Sequence, residues 1–108
     1  MIVYCNDYIL AEKVRIADNF INRFLGLMGK KSLENGEGLL LLRCPSIHCF
    51  FMRISIDVIY ISRNMEVLGI ETLKPWSIGK HFRKTVHILE LKEGAASRVK
   101  VGDAIVLN

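Results

Sequence analysis

The most informative stretch of the sequence is CPSIHCFFMRISIDVIYI, residues 44 to 61. Its last part, continuing to residue 62, is dominated by β-branched and aromatic residues, which is typical of a buried strand. Residues 47 to 52 are a second apolar run of strand length, and residues 53 to 55 between the two runs suit a turn. The stretch therefore predicts a buried hairpin at the centre of the chain.

Short strands are also predicted on both sides of this hairpin. Turn-forming clusters such as Asn35-Gly36 and Gly102-Asp103 punctuate the chain between apolar runs. The additional predicted strands cover residues 2–4, 8–10, 14–16, 39–43, 65–72, 86–91 and 104–107. Strands this short and this numerous indicate a mainly β protein.

One helix is predicted, at residues 18–28. Asp18 suits its N-cap and Gly29 its end. Its apolar stripe comprises Phe20, Ile21, Phe24 and Met28. The predicted fold class is therefore α+β but mainly β, a small antiparallel barrel-like or strongly curled sheet with this one helix packed on it.

The composition predicts a single cytoplasmic domain spanning residues 1–108. A content of 51% hydrophobic residues is ample for a packed core and excludes disorder. No apolar run approaches the roughly 18 residues of a membrane span, and the apolar start of the chain is too short for a signal peptide. The three cysteines, Cys5, Cys44 and Cys49, cannot all pair within the chain, and we expect small buried thiols.

A basic loop is predicted at residues 73–85. The net charge is +4, and no acidic residue occurs between Glu71 and Glu90. The cations predicted to contact an anion or a nucleic acid are Lys74, Lys80, Arg83 and Lys84, interleaved with Trp76, His81 and Phe82. Cations with stackable rings occur on single-stranded nucleic-acid surfaces, but equally on a solvated loop with two anchoring aromatics. Because there are only four cations and no nucleic-acid motif, a plain solvated loop is predicted first, and an anionic ligand or protein partner is ranked ahead of nucleic acid.

Soft metal ligands cluster in the opening stretch. Cys44, His48, Cys49 and Met52 fall within nine residues, a composition that suits Zn²⁺ or Cu⁺. Their spacing does not match a structural zinc site. On a strand, moreover, His48 and Cys49 point to opposite faces. The sequence therefore predicts neither a metal nor another cofactor.

The same region offers two catalytic pairings. Cys44 and His48 could form a nucleophile–base pair across a proline turn, but no oxyanion-hole signal lies nearby. His48 and Asp57 could form a dyad, but the predicted hairpin places them roughly 13 Å apart. Asp57 is therefore expected to accept hydrogen bonds from turn N–H groups or to pair with Arg23 or Arg53.

Glu90 is a further carboxylate of interest. It lies between Leu89 and Leu91 in an alternating strand, so it faces away from them. A buried carboxylate requires a partner, and Arg23 is predicted to form a structural pair with it.

Four landmarks resemble the bacterial and archaeal family known as domain of unknown function 192. In chain order they are Arg23 with Gly26-Leu27-Met28; Gly36 to Leu42; Ile47-His48 to Met52 with Ile56-Asp57-Val58; and Val86 to Leu91 with Gly94 and Gly102-Asp103. The resemblance covers residues 11–107. Leu39 and Ser55 stand where the family often has methionine and proline. The resemblance implies a compact β-rich fold and no assigned activity.

The sequence favours a non-catalytic binding or accessory domain. The predicted ligand-binding residues are His48, Met52, Asp57 and Trp76. One alternative is a small enzyme that uses Cys44 or His48 with Asp57 or Glu90, which requires at least two of those groups to converge in a concavity. The other is a nucleic-acid-associated factor that uses the basic loop, which would show strongly salt-dependent affinity.

Overall fold

A computed structural model describes residues 1–19, 32–46 and 53–108 of the chain. Within these ranges the secondary structure consists of eight β-strands and no helix. The strands are β1 (Val3–Cys5), β2 (Tyr8–Ala11), β3 (Lys13–Ala17), β4 (Glu37–Leu41), β5 (Ile56–Ile61), β6 (Val67–Leu73), β7 (His87–Lys92) and β8 (Ile105–Leu107). Each of the eight overlaps a predicted strand, so the mainly β class is confirmed.

The strands form two sheets. Three strands in the order β2-β1-β8 make the smaller sheet, and five in the order β3-β4-β7-β5-β6 make the larger one. β3 and β4 run parallel, whereas every other neighbouring pair is antiparallel. A single bridge between Glu66 and Ala104 and backbone hydrogen bonds between Met1 and Val14 tie the two sheets together.

The predicted barrel is wrong. In the larger sheet β7 inserts between β4 and β5. The larger sheet consequently ends at β3 on one side and β6 on the other, and the described strands form two sheets that do not close into a barrel. Its parallel β3–β4 pair also departs from the antiparallel arrangement predicted.

The predicted central hairpin is also wrong. Residues 47–52 lie outside the described part of the chain, but β5 is described in full. All six residues of β5 pair with β6 on one side and with β7 on the other. Because β5 has no free edge, it cannot also pair with residues 47–52. The 13 Å separation inferred from that register no longer applies to His48 and Asp57.

The predicted helix at 18–28 receives no support. Most of it, from residue 20 to residue 28, lies outside the described residues. Asp18 and Asn19 are described and are not helical. None of the described residues belongs to a helix with the length and apolar character needed to cross a membrane.

The larger sheet carries buried side chains on both faces, which gives the molecule two cores. On one face it packs against the smaller sheet, and this core includes Leu40, Ile59, Leu89 and Leu91 from the larger sheet with Val3, Cys5 and Ile105 from the smaller. The other face carries a second core that includes Leu39, Leu41, Val58, Tyr60, Ile88 and Leu33. Burial on both faces explains why β5 is apolar at nearly every position instead of alternating.

Candidate functional site

The two candidate carboxylates lie on opposite faces of the larger sheet. Asp57 of β5 is directly opposite Leu91, whose side chain belongs to the core shared with the smaller sheet. Glu90 of β7 is directly opposite Leu39 and Val58, which belong to the second core. Residues directly opposite in a sheet share a face. The sheet therefore separates Asp57 from Glu90, and the two carboxylates cannot act on one substrate atom.

Asp57 joins the sheet to the turn that follows β7. One carboxylate oxygen accepts a hydrogen bond of 2.8 Å from the Thr72 hydroxyl. The other accepts bonds of 3.0 Å each from the backbone N–H groups of Gly94 and Ala96. The side chain is only 4% exposed. Bonds of this kind to a charged acceptor are among the strong ones in proteins, so Asp57 holds the turn in place.

Glu90 is buried in an apolar environment. It is 3% exposed, and its cross-strand neighbours are Leu39 and Val58. Burial raises the pKa of Glu90 to about 8, so the carboxyl is mostly protonated at neutral pH. Arg23, its predicted partner, lies outside the described residues, and the Arg23–Glu90 pair remains a prediction.

Cys44 follows β4 at the edge of the second core. It is half-buried, and its thiol donates a hydrogen bond of 3.1 Å to the carbonyl oxygen of Ser46. His48, Cys49 and Met52 lie outside the described residues, so the pairing of Cys44 with His48 is untested. Within the described part of the chain, no group of three His, Cys, Asp or Glu side chains could hold a metal ion.

Cys5 lies in the core between the two sheets. It is fully buried, and its sulfur donates to a carboxylate oxygen of Asp103 at 3.5 Å. Burial raises the pKa of the Cys5 thiol, and the bond to Asp103 adds to the shift. A thiol that stays protonated is a poor nucleophile, which suits a structural role.

His87, the first residue of β7, was not singled out in the sequence. Its Nδ1 accepts a hydrogen bond of 3.0 Å from the backbone N–H of Arg43. Burial lowers the pKa of His87, and the nearby Arg43 charge lowers it further. Arg43 itself adopts a left-handed backbone conformation, with φ of 53°. No sequence spacing links positions 43 and 87, so only the fold reveals this contact.

The basic loop presents its cations to solvent. Lys74, Lys80, Arg83 and Lys84 are all exposed, as is His81. Trp76 is 60% exposed and Ile78 is 70% exposed. Among the described residues the one ion pair joins Lys13 to Glu34, so no described carboxylate forms a salt bridge with these cations. The loop therefore combines positive charge with two large apolar side chains at the surface.

Phe82 anchors the basic loop to the larger sheet. Its ring lies 4.5 Å from the ring of Tyr60 between centroids. It also covers Gly69 of β6 so closely that a Cβ at that position would overlap the ring. The Thr85 hydroxyl donates a bond of 2.6 Å to the Phe82 carbonyl oxygen. Phe82 thus acts as an anchor, whereas Trp76 presents most of its surface to solvent.

A separate shallow cleft of about 310 Å³ lies where β7 ends. Its lining includes Leu33 and Ile54 with the polar residues Ser32, Ser55, Lys92 and Glu93. Lys92 is already engaged, because its ammonium group donates a bond of 3.1 Å to the Asn35 side-chain oxygen. No spacing along the chain groups these residues.

Fold and site together define a small two-sheet β domain whose described residues assemble no catalytic pair. The chain belongs to the DUF192 family, described as "Uncharacterized ACR", whose model matches residues 3–107. This confirms the resemblance inferred from the four landmarks.

Relatives with curated sequences carry the family name UPF0127. One from Pyrococcus furiosus is 40% identical over 105 residues, covering 89% of this chain and 87% of the relative. Another, from Pyrococcus horikoshii, is 43% identical over 98 residues, covering 86% and 85%. A crystal structure of a protein of unknown function from Novosphingobium aromaticivorans has a TM-score of 0.85 at 22% identity, covering 98% of this chain and 84% of that one. That likeness supports the fold.

Proposed function

We propose that this protein is a non-catalytic cytoplasmic binding domain that uses the basic loop to bind an acidic segment of a partner protein. The observation that carries the proposal is the loop itself. It holds four exposed cations and no acidic residue, and it is fixed to the sheet by Phe82. An acidic partner is attracted by the charge, and the exposed Trp76 and Ile78 offer the apolar contact area that gives protein interfaces their affinity.

A nucleic-acid surface is less well supported. Sequence-tolerant binding of single strands relies on several rings on which successive bases stack. Phe82 packs on Tyr60 and Gly69, so one of the two rings that suggested such a surface is already committed. A single exposed ring, Trp76, suits insertion into a protein partner better than a stack of bases.

An enzyme is also less well supported. Both oxygens of Asp57 are engaged in hydrogen bonds to the protein itself, and Glu90 lies on the other face of the sheet. Of the four predicted ligand-binding residues, Trp76 is part of the present proposal. His48 and Met52 lie outside the described residues and remain predictions.

The proposal predicts salt-sensitive binding of short acidic peptides. We expect a fluorescein-labelled glutamate-rich peptide with a central leucine to bind more tightly than the same peptide with a central serine. Fluorescence anisotropy should show that affinity falls as salt rises from about 50 to about 200 mM, because exposed charges are screened. Replacing Lys80, Arg83 and Lys84 together by glutamine should weaken binding roughly tenfold, since each exposed ion pair contributes a few tenths of a kcal/mol.

The matched control carries the same charge change elsewhere. Lys13 and Arg15 of β3, at the opposite edge of the larger sheet from β6, and Lys100 are exposed cations outside the loop. Their triple glutamine variant lowers the net charge equally and should weaken binding much less. If the two triple variants lost the same amount of peptide affinity, the loss would be explained by net charge alone, which would contradict a binding role for the loop. Tighter binding of an oligothymidylate than of the acidic peptide, dependent on the same three cations, would assign the loop to nucleic acid instead.

A further inference from the structure

Glu71 of β6 connects the basic loop to the core of the larger sheet. The same carboxylate oxygen accepts a bond of 2.5 Å from the Tyr60 hydroxyl and one of 2.7 Å from the backbone N–H of Lys80. Tyr60 is fully buried in the second core, so its hydroxyl is a fixed point. Glu71 is half-buried, and its carboxylate links the buried Tyr60 hydroxyl to the loop backbone at Lys80.

Two tethers therefore hold the loop close to its cations, at positions 80 and 82. The first is the bond from Lys80 to Glu71, and the second is the packing of Phe82 over Gly69. Arg83 and Lys84 follow the second tether directly. The backbone φ is 72° at Lys84 and 65° at Trp76, a left-handed conformation that is unfavourable for a residue with a Cβ. Such conformations persist only where the surroundings fix them.

We infer that Glu71 is a positioning residue that pre-organises the basic loop for its acidic partner, an inference that rests on the proposed function. A loop that is already ordered loses less conformational entropy on binding, so it binds its partner more tightly. Glu71 thus favours the binding of an anion although it is itself negatively charged.

Charge and pre-organisation predict opposite changes in peptide affinity when Glu71 is removed, so a single substitution distinguishes them. Removing a carboxylate next to the loop makes the surface more positive, so charge alone predicts tighter binding of an acidic peptide. Pre-organisation predicts weaker binding from the same substitution. Glu66 supplies the charge-matched control, because it precedes β6, is exposed, and its side chain makes no hydrogen bond or ion pair with the described residues.

The experiment compares Glu71→Ala, Glu71→Gln and Glu66→Ala with the unaltered protein. Binding of the glutamate-rich, leucine-containing peptide is measured by anisotropy, at a temperature where thermal denaturation shows every variant folded. Limited trypsin digestion, followed by mass spectrometry, reports the cleavage rate after Lys80, Arg83 and Lys84 without any ligand. The ratio of these rates to cleavage after Lys13 and Arg15, which lie within β3, separates loop opening from global unfolding.

Glu71→Ala should weaken peptide binding about fivefold and accelerate loop cleavage by a similar factor, because one tether is lost. Glu71→Gln keeps an acceptor oxygen and should lie between the alanine variant and the unaltered protein. Glu66→Ala should bind the peptide as tightly as the unaltered protein or slightly more tightly. Tighter binding by Glu71→Ala, or loop cleavage equal to that of the unaltered protein, would overturn the inference.

Gly69→Ala tests the second tether without changing the charge. The new methyl group would overlap the Phe82 ring, so the ring must leave the sheet. We expect accelerated loop cleavage and weaker peptide binding, and partial recovery of binding when Phe82→Leu is added to make room. If both loosening variants are cleaved faster but bind the peptide unchanged, pre-organisation for binding fails. A different outcome is that neither the unaltered protein nor any variant binds the peptide, while the variants are still cleaved faster. That result would contradict the proposed acidic partner but not the role of Glu71 and Phe82 in ordering the loop.

Discussion

The protein is expected to lose about 5 kcal/mol of unfolding free energy between about pH 4.5 and pH 8, and a Glu90→Gln variant is expected to keep it. Burial raises the pKa of Glu90 from 4.5 to about 8. Below pH 4.5 the carboxyl is protonated in both the folded and the unfolded chain, and it imposes no penalty. Between the two values the unfolded chain releases its proton to gain a hydrated carboxylate, while the folded chain retains it. Unfolding therefore becomes steadily more favourable until the folded pKa is passed.

The measurement is urea denaturation of both proteins across this pH range. The informative quantity is the difference in unfolding free energy between them at each pH, because other titrating groups are common to both. His87 is one such group, and its lowered pKa acts in the opposite direction, since it favours folding as the histidine becomes neutral. A difference that stays flat from acid to alkaline pH would show that Glu90 titrates normally, for instance because it has an ionic partner.

Replacing Asp57 with alanine is expected to lower the unfolding free energy by about 3 to 5 kcal/mol at neutral pH, because the substitution removes three hydrogen bonds to a charged group. It also leaves the N–H of Ala96 without its acceptor in a buried position. Chemical denaturation gives the magnitude. Hydrogen exchange should locate the damage, with faster exchange at Gly94 and Ala96 than in the strands.

Asparagine at position 57 provides the isosteric comparison. Its carbonyl oxygen can accept from the turn while its amide donates to the Thr72 hydroxyl, so Asp57→Asn should cost less than Asp57→Ala. Glu66→Ala removes an exposed carboxylate and should change stability by less than about 0.5 kcal/mol. An Asp57→Ala variant as stable as that control would mean that the turn holds its place without the carboxylate.

The β-rich class and the family follow from local features of the sequence. The apolar run at Ile56 to Ile61 and the alternation around β7 are local signals, and each matches a strand of the structure. Strand pairing is not local. Nothing in the residues of β7 indicates that it lies between β4 and β5, because both neighbours are equally apolar. The hairpin was predicted from two apolar runs that follow one another along the chain, and the barrel from the short strands and tight turns. Neither signal specifies which strands pair.

The roles of single residues likewise depend on contacts that could not be predicted from the sequence. Alternation correctly places Glu90 on the face opposite Leu89 and Leu91, but it cannot show that this face is buried as well. Asp57 bonds to Gly94 and Ala96, which lie 37 and 39 residues further along the chain. Glu71 looks like an ordinary polar residue of an edge strand until the loop folds back onto it. Each role depends on a contact that spacing along the sequence does not encode.

The position of β7 also bears on the order in which the chain can fold. Among the eight described strands, only β1–β2 and β5–β6 join consecutive strands by antiparallel pairing. The centre of the larger sheet needs Gly38 beside Leu91, and the smaller sheet needs Val3 beside Leu107. Closing such long loops costs conformational entropy before packing of the cores can stabilise the fold. The two hairpins need only local contacts, whereas the pairing of β4 with β7 and of β1 with β8 joins distant parts of the chain, which places the domain among the slow-folding, high-contact-order topologies.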